Sequence, residues 1–162
     1  MKTSTEQLLE NWYRRLREAQ FAHYESAKVF DRMHYWLGIP SIFLSALIGT
    51  SIFATLGESV EVKFQLIAGL ISIFAAALTG LQTFLKFFER AEKHRITAAR
   101  YGSLRREIEE LSSLEPSLSE SLVSSLRKSS DRLAEESPHI PAKVWSKSQN
   151  KLKGNSSTFL KS

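Results

Sequence analysis

The sequence offers few side chains that could perform chemistry. It contains four histidines, His23, His34, His94 and His139, and no cysteine. The histidines lack the spacing of a metal site, and without cysteine there is no thiolate nucleophile and no Cys-based metal centre. No glycine-rich phosphate loop or nucleophile elbow occurs. The sequence therefore predicts no catalytic residue, no metal or other cofactor, and a protein that is not an enzyme.

Two of the histidines lie on apolar stripes of predicted helices. At 100° per residue, His23 shares a face with Leu16 and Ala27, and His94 shares a face with Ala98 and Tyr101. A histidine in this setting is most commonly buried in a helical bundle or at an interface. Titration near neutral pH, as the sensor of a gate, is a second interpretation.

Two long apolar segments dominate the chain. Tyr35–Gly57 and Phe64–Leu85 contain no Asp, Glu, Lys, Arg or His, and only Glu58–Lys63 separates them. A helix needs about 20 predominantly apolar residues to cross a hydrocarbon core about 30 Å thick. The pattern predicts a transmembrane helical hairpin with spans at 36–56 and 64–85. A soluble bundle would need a shell of further helices around these segments, and the chain is too short to build one.

Small and polar residues collect on one side of the second span, which we call the polar face. Its members lie within about 60° of one direction on a helix; they are Gln65, Ala68, Ser72, Ala76, Thr79, Gly80 and Thr83. The first span has a shorter match in Ser41, Ser45 and Gly49. One interpretation is close helix packing, inside the hairpin or between subunits. The other is a narrow polar path, which requires a ring of subunits because one hairpin cannot enclose a pore.

Charges and aromatic residues predict how the hairpin sits in a membrane. Tyr35, Trp36 and Lys86 are expected as interfacial anchors, and Pro40 is expected to kink or break the helix that enters the first span. Basic residues flank the outer ends of both spans, whereas the connecting loop contains Lys63 alone. They are Arg15, Arg17, Lys28, Arg32, Lys86, Arg90, Lys93, Arg95, Arg100 and Arg105. The positive-inside rule therefore predicts that both termini are cytoplasmic.

The flanking segments predict an all-α membrane protein in which the hairpin is attached to a cytoplasmic helical bundle or coiled coil. Amphipathic helices are expected over 3–34 and 117–136, and the second span is expected to continue as a helix to about residue 114. Residues 1–136 form the predicted domain. The basic segment 137–162 is expected to be a disordered tail that meets anionic lipid, without direct nucleic-acid binding.

Several stretches resemble the SLATT superfamily of bacterial two-transmembrane proteins. They are Leu8–Arg15 (LLENWYRR), Gly38-Ile39-Pro40, Ser45–Thr50 (SALIGT) and the run from Ala76 to Tyr101. The resemblance covers roughly residues 5–114 and lies in the overall architecture rather than in a single motif.

The resemblance implies a pore-forming or membrane-disrupting effector of an antiphage or conflict system in the bacterial inner membrane. It also implies a separate partner, such as a nucleotide-signal synthase, a nucleotide sensor or a reverse transcriptase, which would supply the trigger. Together with the polar face, it predicts a homo-oligomer in the lipid bilayer. A scaffold that uses the hairpin only as an anchor, and whose coiled coil recruits a partner protein, is the alternative function.

Overall fold

The computed structural model describes residues 4–54, 60–114 and 119–159, and all regular structure in these ranges is helical, as the sequence predicts. These ranges contain five helices: α1 (Ser4–Ala54), α2 (Val62–Leu85), α3 (Phe87–Leu114), α4 (Glu120–Glu136) and α5 (Ala142–Phe159). They divide into two compact units. We call the described residues within 1–28 and 91–162 the bundle, and those within 29–90 the hairpin.

The bundle is built around one apolar core. Its buried members come from α1, α3 and α4; they are Leu9, Leu16, Tyr101, Leu104, Ile108, Leu126 and Leu133. Leu16 and Tyr101 lie on the helix faces that the sequence predicts for α1 and α3, so these faces are confirmed. Burying one such large side chain contributes about 1.5–3 kcal/mol, which explains why these polar helices associate.

Helix α4 begins slightly later than expected. Ser119 is its N-cap, and the Ser119 hydroxyl accepts a hydrogen bond from the backbone N–H of Leu122. A serine at this position satisfies one of the backbone donors that the first helical turn leaves unpaired. The predicted start at Ser117 lies outside the described residues. The predicted end near Glu136 agrees with the structure.

The basic segment near the C-terminus differs from the expectation of disorder, because residues 142–159 form α5. Val144 and Ser148, four residues apart and therefore on one helix face, are buried in the bundle. Gln149 Nε2 donates to Glu18 Oε2 at 3.0 Å, and Lys151 Nζ donates to Glu25 Oε2 at 3.3 Å. The composition of the segment predicted disorder, since it does not reveal that the partners of these polar side chains lie on α1. Residues 160–162 of the predicted tail lie outside the described range.

Helix α1 runs through Pro40 without interruption, so of the kink or break expected there the break does not occur. The proline removes one backbone hydrogen bond, that to the carbonyl of Trp36, at a typical cost of about 3 kcal/mol in a helix interior. Gly38 and Ser41, on either side of it, are buried in the hairpin. Residues 55 and 56 of the predicted first span lie outside the described residues.

The junction between α2 and α3 is a third difference, since the expected continuous helix is interrupted at Lys86. This residue adopts the left-handed conformation, with φ 47° and ψ 43°. Its backbone N–H still donates to the carbonyl of Gln82 at 3.3 Å, and its own carbonyl accepts from the N–H of Arg90 at 3.1 Å. The interruption is therefore confined to one residue.

Candidate functional site

The outer surface of the hairpin is apolar. Exposed large side chains cover both helices; they are Ile42, Phe43, Leu47, Leu66, Leu70, Ile73, Phe74 and Phe84, and Phe84 is 81% exposed. Both helices are long and apolar enough to cross a membrane, and only 11% and 6% of their most apolar windows are buried. The core of a soluble protein would be mostly buried, so this surface fits lipid rather than water.

The two spans pack antiparallel through a few short polar contacts. The hydroxyl oxygens of Ser41 and Thr79 lie 2.5 Å apart. Because the Thr79 hydroxyl also donates to the carbonyl of Ala75 at 3.0 Å, we assign Ser41 as the donor between them. Nearer the outer ends of the spans, Gln82 Nε2 lies 3.4 Å from His34 Nδ1. The first contact gives the Ser41 hydroxyl a partner on the neighbouring span, as a polar group in hydrocarbon requires.

A close approach of the helices at Gly38 supports these contacts. A Cβ atom at this position would lie 3.0 Å from Gln82 Nε2. Glycine therefore lets the Gln82 amide pass directly over the backbone of α1. Small residues have this effect in membrane helix pairs generally.

The face of α2 that packs against α1 lies beside the predicted polar face. Its buried or half-buried members alternate steps of three and four residues; they are Ala68, Ile71, Ala75, Leu78, Gln82 and Leu85. Of these only Ala68 belongs to the polar face. The signal was present in the sequence as a spacing of 3.5 residues, which is the period of a packing seam. The contacts of Gly38, Ala75 and Gln82 were not predicted.

Most of the polar face remains exposed in the single chain. Ala68 is half-buried, and the other members, Gln65, Ser72, Ala76, Thr79, Gly80 and Thr83, are exposed, although the Thr79 hydroxyl bonds to Ser41. In the first span Ser41 is buried, Gly49 is half-buried and Ser45 is exposed. An open groove of about 510 Å³ joins the two sets; it is lined by Ser45, Ile48, Gly49, Ser72, Ala75, Ala76 and Thr79.

The hydroxyl groups of the hairpin bond mainly to their own helices. Thr83 donates to the carbonyl of Thr79, and Thr50 donates to that of Ala46, both at 3.0 Å. Such local bonds satisfy the hydroxyl proton and leave the oxygen as an acceptor at the helix surface. The site can therefore present uncharged polar oxygens along the span, whereas the span sequences contain no charged group that could hold an ion or relay protons.

The expected anchors are exposed. Tyr35 and Trp36 are 61% and 75% exposed, and Lys86 Nζ lies 3.5 Å from the Glu89 carboxylate. Amphipathic aromatic rings at a span terminus suit the headgroup region. Their exposure is consistent with contact with a membrane interface.

In the bundle, the structure brings together two histidines that the sequence did not pair. The Nδ1 atoms of His23 and His94 lie 2.8 Å apart, and both side chains are 2% exposed. Burial lowers the pKa of His23 to about 4, with a further contribution from the proximity of His94, and burial also lowers the pKa of His94. Burial therefore disfavours protonation of both imidazoles in the folded bundle, and titration near neutral pH as the sensor of a gate stays a prediction. Among the described residues, no three potential metal-ligating side chains cluster.

A comparison with known families gives one match. The model of the SMODS and SLOG-associating 2TM effector domain family 4 covers residues 5–161. This match extends the expected resemblance through α4 and into the C-terminal segment. No curated protein and no solved structure matches the chain. With its two long apolar helices, the chain is an all-α membrane protein of the two-transmembrane type.

Proposed function

We propose, for a chain that belongs to the SMODS and SLOG-associating 2TM effector domain family 4, that it acts by making a bacterial inner membrane permeable. The observation that carries the proposal is the exposed polar face of α2. Gln65, Ser72 and Thr83 lie within an uncharged span and are exposed in the single chain. Polar side chains in a span normally face other helices or a water-filled cavity rather than lipid.

The hairpin alone cannot surround a water-filled path, so the proposed active form is a homo-oligomer. In a ring, each α2 would turn its polar face to the centre or to the next subunit, while the apolar side with Ile73 and Phe74 meets lipid. The groove beside Ser72 and Ala76 gives a neighbouring helix room for close approach. Apolar residues on the far side and polar oxygens on the near side are the arrangement that a narrow pore needs.

The proposed orientation places both termini in the cytoplasm. Lys and Arg flank the outer ends of the spans, and the loop between them carries Lys63 beside Glu58 and Glu61. The family description names association with SMODS and SLOG, which supports a separate partner or a nucleotide-derived signal as the trigger in a conflict system. Until that signal arrives, the effector is proposed to be closed.

Membrane depolarisation in bacteria that produce the full chain tests the pore. We expect depolarisation with the wild type and its loss with Gln65→Leu/Ser72→Leu/Thr83→Leu, which makes the polar face apolar without changing Ser41 or Thr79. The matched control is Ile73→Leu on the lipid-facing side. Equal depolarisation by the triple variant and the wild type, at equal membrane content, would contradict the proposal.

The scaffold alternative makes the opposite prediction about the hairpin. If the hairpin only anchors the bundle, replacing 35–85 by an unrelated two-span hairpin should preserve toxicity and partner recruitment. If the polar face forms the path, this exchange should abolish depolarisation while the bundle still folds. Circular dichroism of the purified exchange variant establishes that its helices are intact.

A further inference from the structure

The contact between His23 and His94 lies in a part of the bundle where small residues predominate. On α1 the neighbouring buried residues are Ala22, Ser26 and Ala27, and on α3 they are Ala91, Thr97 and Ala98. Small side chains let two helices come close, but they interdigitate little. In this part of the bundle, the alignment of α1 with α3 along their axes therefore depends on specific polar contacts more than it does in the leucine-rich core.

The other buried hydroxyls of this seam bond within their own helices. Ser26 Oγ donates to the carbonyl of Ala22 at 2.9 Å, and Thr97 Oγ1 donates to that of Lys93 at 2.9 Å. Neither bond depends on how the helices are aligned. The bond between the two imidazoles joins α1 to α3, so a slip of one helix past the other breaks it.

This bond needs one proton between the two nitrogen atoms. In the neutral pair one ring donates from Nδ1–H, and the other accepts at Nδ1 and carries its own proton on Nε2. A first added proton binds Nε2 of the donor ring and keeps the bond, but it places a charge in the core. A second binds Nδ1 of the acceptor ring, so that two N–H groups face each other and the bond is lost.

We propose that the His23–His94 hydrogen bond is a proton-sensitive pin, which fixes the alignment of α1 against α3 and is released by acid. Buried polar pairs that specify one helix register at some cost in stability are known from coiled coils. Here the polar pair can also titrate. The pin would operate whether or not the hairpin conducts ions.

Tyr101 of α3 lies against the pair and links it to the end of α4. The Tyr101 ring stacks on His23 with centroids 5.4 Å apart, and the Tyr101 hydroxyl accepts from Ser137 Oγ at the end of α4.

Charged side chains on the bundle helices form ion pairs near the protein surface. Glu25 of α1 accepts from Lys28 and from Lys151 of α5, Glu92 pairs with Arg95 on α3, and Glu136 of α4 pairs with Arg100 and Arg132. These carboxylates are thus already engaged by cations.

The direction of the pH effect follows from the pKa changes. Burial lowers the pKa of both imidazoles in the paired state, to about 4 for His23, below the ordinary value of 6.5 that an opened seam restores. The opened seam therefore takes up protons first. Pairing is complete above pH 6.5 and weakens as the pH falls toward 4. From pH 7 to pH 5, His23 alone raises the ratio of opened to paired seam about 20-fold.

Spin-label distances in the full chain test the pin. The chain has no cysteine, so Arg17→Cys and Ala99→Cys, both at exposed positions, report the alignment of α1 and α3 in lipid nanodiscs. We expect a narrow distance distribution at pH 7.5 and an added, displaced population at pH 5. Asparagine places its amide group where an imidazole has Nδ1, so His23→Asn/His94→Asn keeps the bond and cannot titrate. The distance distribution of this variant should remain narrow at pH 7.5 and at pH 5.

Two controls keep the test decisive. His139→Asn, at an exposed site, should respond to acid as the wild type does. His94→Phe retains an aromatic ring but leaves His23 Nδ1 without this partner, so it should broaden the distribution at pH 7.5. The proposal is overturned if the wild-type distance distribution stays narrow at pH 5, or if the double asparagine variant gains the displaced population in acid as the wild type does. It is equally overturned if the distribution of His94→Phe is as narrow as that of the wild type at pH 7.5. It is also overturned if ¹⁵N spectra of labelled histidines show no Nδ1–H on either ring at pH 7.5.

Discussion

The close contact at Gly38 makes a sharp prediction about how the two spans pair. Replacing this residue with leucine puts a branched side chain where the Gln82 amide now crosses the backbone of α1. A Cβ atom would already lie 3.0 Å from Gln82 Nε2 and 3.5 Å from Gln82 Cδ. Gln82 would have to leave its place beside His34, and the helices would have to separate locally.

The expected cost can be worked out from these contacts. Overpacking of a close helix contact costs about 1–3 kcal/mol, and loss of the long Gln82–His34 hydrogen bond adds up to about 1 kcal/mol. Helix propensity does not enter this sum, because the spans are helical whether they are paired or separated. The net destabilisation of the span–span contact is about 1–4 kcal/mol, which lowers the ratio of paired to separated spans about 5- to 900-fold.

A disulfide between the spans provides the assay. Ser41→Cys/Thr79→Cys introduces the two cysteines where hydroxyl oxygens lie 2.5 Å apart, so a brief oxidation should link them within one chain. Adding SDS to the protein in mild detergent separates the spans, and the SDS fraction at which linking falls by half measures the strength of pairing. Gly38→Leu should move this midpoint to lower SDS.

Two comparisons decide the outcome. Gly69→Leu, where a Cβ meets nothing within 4 Å, should leave the midpoint unchanged or raise it. Ser41→Cys/Leu81→Cys should link poorly because Leu81 lies on the opposite side of α2. A midpoint for Gly38→Leu equal to that for Gly69→Leu would refute the close approach at Gly38.

Three further predictions concern the bundle and the junction after α2, each measured as local opening by hydrogen exchange in the full chain. Leu126→Ala removes most of a side chain that is 2% exposed, so it should destabilise α4 by about 2–5 kcal/mol. Arg127→Ala, on the exposed side, should change the stability of α4 little. Equal amide exchange in the two variants would contradict the assignment of Leu126 to the core. Lys86→Gly should raise the free energy of local opening at the α2–α3 junction by about 1 kcal/mol, because glycine adopts the left-handed conformation without strain. Amide exchange there should therefore slow, and faster exchange would refute this reasoning. Ser148 Oγ is buried without a hydrogen-bond partner among the described residues, so Ser148→Ala should stabilise α5 more than Ser146→Ala, by about 1 kcal/mol; the reverse order would indicate that the Ser148 hydroxyl is paired.

The parts of the fold that the sequence predicted are those that depend on one helix at a time. Two uncharged segments of sufficient length predict two membrane helices whatever surrounds them. The stripes containing Leu16 and Tyr101 likewise predict the buried faces of α1 and α3. In each case a periodic pattern within one segment carries the information.

The parts that the sequence did not predict depend on contacts between segments. The lysine-rich segment after Pro141 was expected to be disordered because its partners, Glu18 and Glu25, are more than a hundred residues earlier in the chain. Which side of α2 meets α1 was also unresolved, since both the polar face and the neighbouring Ala75 side contain small residues that suit a helix contact.

Ion flux through a defined membrane tests the central claim most directly. The chain would be purified as an oligomer from cells that it has depolarised, and reconstituted into liposomes loaded with potassium. We expect rapid potassium release with the wild type and retention with Gln65→Leu/Ser72→Leu/Thr83→Leu at the same oligomeric state. Oligomeric wild-type protein whose liposomes retain potassium as well as protein-free liposomes do would contradict it.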